Sequence, residues 1–68
     1  MKAEEYIAIK PSVYIFGSEN QAMIIVNQNQ IWELKSRPTE SKKYYVLTRE
    51  NIAMEITEDD FKTKFKRF

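Results

Sequence analysis

The stretch Lys35-Ser36-Arg37-Pro38-Thr39-Glu40-Ser41-Lys42-Lys43-Tyr44-Tyr45 has the clearest chemical character in the chain. From Lys35 to Lys43 it carries four cations, Lys35, Arg37, Lys42 and Lys43, against the single acid Glu40, a local charge of +3. Tyr44 and Tyr45 follow at once, and on a strand one of the two must point away from the core. Cations neutralise phosphates and an exposed aromatic ring stacks on a base, so these six residues form a candidate nucleic-acid contact. A solvated loop between two strands accounts for the same residues.

Other chemistry is poorly supplied. The chain has no histidine and no cysteine, which removes Ser-His-Asp, Cys-His, imidazole–metal and thiolate–metal sites together. The serines therefore lack an imidazole base, and no lysine is marked as a substitute. Gly17 is the one glycine, too few for a phosphate-cradling loop. Glu58-Asp59-Asp60 is an acidic run, but adjacent helical residues point about 100° apart and do not converge on one ion. A helix start explains all three acids. No catalytic residue, cofactor or metal is expected, and the chain is not expected to be an enzyme.

Apolar and aromatic residues are better supplied. The 68 residues are 43% hydrophobic and 13% aromatic, a globular profile. Eleven Lys and Arg against ten Asp and Glu leave a net charge of +1, which gives no bulk attraction to nucleic acid or to an anionic membrane. In Val13-Tyr14-Ile15-Phe16, Tyr14 and Phe16 share one face of a strand while Val13 and Ile15 share the other. A strand apolar on both sides needs two covering layers, and in so short a chain one of them can be another protein. Tyr14, Phe16 and Trp32 are the candidate protein-binding residues.

The elements that must position these residues are short. Tyr6 to Lys10, Val13 to Phe16, Ala22 to Val26, Ile31 to Lys35, Tyr44 to Thr48 and Ile52 to Ile56 read as strands, by alternation or by continuous apolar runs. Pro11 ends or bends the first of them. Asn27 to Gln30 and Arg49 to Asn51 are hairpin-length connections, and Asn tolerates the left-handed backbone of tight turns. An alternative reading uses Ser18 and Gln21 as a capping box and runs a helix over residues 19–35. The β-branched run Ile24-Ile25-Val26 and the polar break after it argue against that helix.

The C-terminus reads as a helix. Thr57 can cap it, three acids fill its first turn, and Ile56 with Phe61 makes a hydrophobic staple. Phe61, Phe65 and Phe68 recur at i, i+4 and i+7, and Lys64, Lys66 and Arg67 fall where the dipole favours cations. Phe61 and Phe65 are expected to dock on the sheet.

The fold expected is mainly β: one small domain over 1–68, a curved sheet or barrel of five to six strands with a C-terminal helix. In element count and spacing it resembles a small SH3-like barrel, and it looks like the short proteins of bacteriophages and mobile elements. That resemblance implies a non-catalytic protein-binding module, an inhibitor or adaptor of a host protein; the expected partner is another protein or, as a homo-oligomer, further copies of the chain. No apolar run approaches the ~20 residues of a membrane span, and no apolar segment follows Met1-Lys2-Ala3-Glu4-Glu5. A soluble, cytoplasmic protein without membrane contact is expected.

Overall fold

A computed structural model of the chain describes residues 3–16 and 22–68, with the backbone alone of Phe16. The expected strands are present. They are β1 (Glu5–Ala8), β2 (Ser12–Phe16), β3 (Ala22–Val26), β4 (Ile31–Ser36), β5 (Tyr45–Arg49) and β6 (Ile52–Ile56). A helix, α1 (Glu58–Lys64), and a short strand, β7 (Phe65–Arg67), complete the chain. The strands form two antiparallel sheets. One has five strands in the order β6-β5-β4-β1-β7, and the other is the β2–β3 hairpin.

Two expectations are corrected. The helix over residues 19–35 does not form where that segment is described, which instead holds β3 and β4. β-branched side chains lose rotamer freedom against a helical turn and fit a pleated surface. The C-terminal helix also stops at Lys64 rather than running on to Phe68. Phe65 takes extended backbone, and Phe65, Lys66 and Arg67 pair with Ala8, Ile7 and Tyr6 of β1. A helix would have left that edge of β1 with unpaired backbone groups, which a sheet must satisfy or cover. Phe68 therefore leaves the stripe and is 68% exposed, while its N–H donates to the Glu5 carbonyl at 3.0 Å.

Period-two alternation, carried across the register, gives the five-stranded sheet an inner face. Tyr6 and Ala8, Trp32 and Leu34, Tyr45 and Leu47, Met54 and Ile56, and Phe65 all lie on it. Two pieces cover this face. The hairpin contributes Val26, Tyr14 and Ile24. The helix contributes Phe61, whose ring stacks on Tyr45 and Phe65 and tilts against Tyr6. As expected, Phe61 and Phe65 are both buried. The Thr57 hydroxyl caps the helix by accepting from the Asp60 N–H at 3.2 Å.

The turns fix where the hairpin leaves the sheet. Asn29 sits at φ 75°, in the left-handed region expected of an Asn turn, and its N–H donates to the Ala8 carbonyl at 2.7 Å. In the β5–β6 turn the left-handed residue is Glu50, at φ 57°, rather than Asn51. The Ile9 N–H donates to the Lys64 carbonyl at 2.9 Å, which ties the start of the β1–β2 connection to the end of the helix.

Candidate protein-contact face

The hairpin has two unlike faces. Its register pairs Ser12 with Val26 and Tyr14 with Ile24, and Val26, Tyr14 and Ile24 lie on the side that meets the core. The other side pairs Val13 with Ile25 and Ile15 with Met23. Those four aliphatic side chains are 57%, 57%, 60% and 63% exposed in that order. Directly opposed apolar residues stabilise the hairpin itself, because their Cβ atoms lie about 4.5–5.5 Å apart. Together they leave an uncharged apolar patch, and contiguous exposed apolar surface on a small protein often marks a contact.

Two of the residues expected to carry protein binding, Trp32 and Tyr14, face the core instead. Trp32 is 1% exposed and sits in the core. Alternation put Trp32 and Leu34 on one face, but alternation alone does not say which face is covered. Tyr14 points toward the core with its hydroxyl buried, and Lys64 lies over its ring at 5.6 Å. The Phe16 side chain lies outside the described residues. The sequence signal for the observed face was present in the apolar two-sidedness of Val13 to Phe16, together with the continuous run Ala22 to Val26. The side carrying Val13 and Ile15 is the one left uncovered.

The inner side holds polar atoms under cover. The hydroxyls of Ser12 and Tyr14 and the indole N–H of Trp32 are buried without hydrogen-bond partners among the described residues. Burial pushes the Tyr14 phenol above its ordinary value, the nearby Ser12 hydroxyl draws it back, and the Asp60 carboxylate raises it further. A phenol held neutral in this way is a structural group, since an ordinary phenol already ionises only near pH ~10.

The basic stretch looks different once folded. Its cations meet acids on β4 itself, on β6 and in the segment before β1. Lys35 pairs with Glu33 at 3.4 Å, Lys42 with Glu55 at 3.0 Å, and Arg37 with Glu4. The Tyr6 hydroxyl, and after it Glu4, holds the Arg37 guanidinium still further above its ordinary value, so it stays charged. Lys43 makes no ion pair among the described residues. Tyr45 stacks on Phe61 and belongs to the core, whereas Tyr44 is 44% exposed beside Lys43. Three of the four cations thus face carboxylates that a phosphate would have to displace. An open hollow of about 500 Å³, lined by Glu4, Leu34 and residues 35–39, lies under this loop.

The outer face of the five-stranded sheet carries a shallow cleft of about 540 Å³ around Glu33, Lys35, Thr48 and Arg49. Its charges are mixed, and Lys35 and Arg49 each pair with an adjacent glutamate. Among the described residues, no group of three or more acidic side chains is placed to hold a metal ion. No helix is long and apolar enough to cross a membrane.

No family model, curated protein or solved structure matches the chain.

Proposed function

We propose that this chain is a small, non-catalytic protein-binding module and that its contact surface is the outer face of the β2–β3 hairpin. The observation that carries the reading is the arrangement of Val13, Ile15, Met23 and Ile25. They form two adjacent cross-strand pairs, all more than half exposed. Scattered exposed aliphatics are ordinary, whereas four contiguous ones on a two-stranded sheet are costly to leave in water. Burying each by association removes apolar area worth roughly 25 cal/mol per Å² before the costs of binding are subtracted. The hairpin also presents strand edges outside the five-stranded sheet, so an extended segment of a partner can add to it by main-chain pairing.

In this reading the chain works in the cytoplasm, as an inhibitor or adaptor of the kind small phage and mobile-element proteins supply. We read its small β fold as SH3-like on element count and spacing. The nucleic-acid reading keeps one observation in its favour, the exposed Tyr44 ring beside Lys43. The ion pairs of Lys35, Arg37 and Lys42 weigh against it.

The test is site-specific photo-crosslinking in a native extract, with the probe placed at Ile15 and, separately, at Ala53 on the outer face of the five-stranded sheet. The reading expects discrete protein adducts from position 15 and none from position 53. Equal labelling from both positions, or none from either, overturns it.

A further inference from the structure

We infer that the β2–β3 hairpin is a hinged flap, which lifts from the inner face of the five-stranded sheet as a unit while that sheet and α1 stay folded. The inference does not depend on what covers the hairpin's outer face.

The first argument is where the hydrogen bonds stop. The hairpin carries its own ladder, five residue pairs from Ser12–Val26 to Phe16–Ala22, and shares none with the five-stranded sheet. Among the described residues, no hydrogen bond or ion pair runs from β2 or β3 to the sheet or the helix. The buried hydroxyls of Ser12 and Tyr14 add no tie of that kind. What seats the strands is the packing of Val26, Tyr14 and Ile24 in the core, with Lys64 over the Tyr14 ring at 5.6 Å. Apolar packing is non-directional, and a segment held by it alone lies toward the low-stability end of a structure.

The second argument is the foot of the hairpin. Both arms are pinned just outside the strands. The Asn29 N–H donates to the Ala8 carbonyl at 2.7 Å, the Ala8 N–H to the Gln30 carbonyl at 2.9 Å and the Ile9 N–H to the Lys64 carbonyl at 2.9 Å. The Asn27 N–H donates to the side-chain oxygen of Gln30 at 3.0 Å. The backbone is thus tied down as far as Ile9 on one arm and from Asn27 on the other. The hinge falls at Lys10 and Pro11 on the first arm and between Val26 and Asn27 on the second. Hinges of this kind absorb a motion in a few residues at the ends of elements.

The third argument is that the lifted form keeps a core. Phe61 packs on Tyr45, Tyr6 and Phe65, and none of the three belongs to the hairpin. Strand β7 stays paired with β1. Lifting therefore removes one cover of the inner face and leaves the sheet, the helix and their aromatic cluster in place. It carries Val13, Ile15, Met23 and Ile25 away with the flap. A two-stranded hairpin off its seat is marginally stable in water, so its ladder then breaks and its amides exchange.

Native-state hydrogen exchange of the full chain tests this, read for the ladder amides of β2–β3 and of β4–β5. The inference expects the hairpin ladder to open at least about tenfold more often than the sheet ladder, with a smaller denaturant dependence. Two mild variants separate the flap from global unfolding. Thr57→Ala weakens the cap of α1, an element that stays in place when the hairpin lifts. It should speed exchange of the β4–β5 amides roughly fivefold and leave the hairpin amides unchanged. Ile24→Val trims the seat and should speed hairpin exchange roughly threefold. Hairpin and sheet amides that open equally often, and that Thr57→Ala speeds alike, would show one cooperative unit and overturn the inference. So would hairpin exchange that Ile24→Val leaves unchanged, because the ladder would then fray without leaving its seat.

Discussion

Phe61 lies flat on Tyr45, with ring centroids 4.0 Å apart and planes 11° from parallel. The helix thereby meets the inner face of the five-stranded sheet through one aromatic pair, and Tyr6 and Phe65 close around the same ring. Chains of this size rarely gain more than ~3–5 kcal/mol from a single core, so one ring of this kind accounts for much of the stability. Replacing a buried Phe by Ala costs about 3–5 kcal/mol. Phe61→Ala and Phe65→Ala should each leave the chain largely unfolded near room temperature, whereas Phe68→Ala should melt close to the parent. Thermal denaturation followed by circular dichroism reads all three, and a parent-like melt for Phe65→Ala would contradict the packing described.

Thr57→Ala should be mild by comparison. Its hydroxyl accepts from the Asp60 N–H at 3.2 Å, and losing such a cap costs about 1 kcal/mol. Thr57→Ser keeps the oxygen and should recover most of the loss in a denaturant titration. An equal loss in both variants would show that the cap contributes nothing.

Tyr14 predicts an alkaline limit. Burial, partly offset by Ser12 and reinforced by Asp60, raises its phenol above the ordinary value. The fold holds the neutral form, so the stability it supplies is complete below pH ~10 and is lost as pH rises through the raised value. Melting temperature should fall through that range, and Tyr14→Phe should remove part of the fall while leaving neutral-pH behaviour similar. The difference between parent and variant is the readout, because it isolates the phenol of Tyr14. A difference that does not change with pH would remove Tyr14 from the account.

The basic loop should bind nucleic acid poorly. Glu33, Glu4 and Glu55 already face Lys35, Arg37 and Lys42. Fluorescence anisotropy with single- and double-stranded oligonucleotides at low salt should show no saturable binding. Binding whose logarithm falls linearly with log salt, and which Lys43→Ala weakens, would favour the alternative use of this loop.

Much of this fold was legible in the residues, and the missed parts share a cause. Alternation and short continuous apolar runs located β1 through β6 to within about two residues, because both are local properties of a strand. The cap and first turn of α1 were legible for the same local reason. The end of α1 was not. Phe61, Phe65 and Phe68 fit a helical stripe, and what stops the helix is the edge of β1, sixty residues earlier, which takes Phe65 to Arg67 as a seventh strand. The burial of Trp32 and the partners of two of the loop cations likewise depend on distant elements. Whether Trp32 is covered depends on the distant elements that close the inner face. Two of the cations in the 35–45 stretch, Arg37 and Lys42, meet acids that only folding brings near, Glu4 and Glu55. The face now singled out was half legible: Val13 and Ile15 opposite Tyr14 and Phe16 signalled a two-sided strand, but not which side stays bare.

The central claim is that a protein covers the outer face of β2–β3, and methyl protection tests it most directly. Isotopically labelled chain is exposed to a soluble paramagnetic agent, first dilute in buffer and then in concentrated native extract. In dilute buffer the methyl groups of Val13, Ile15, Met23 and Ile25 should broaden together with that of Ile52, which is 41% exposed on the edge strand of the other sheet. In the extract the first four should become protected while Ile52 stays broadened. Broadening of all five alike under both conditions would contradict the claim.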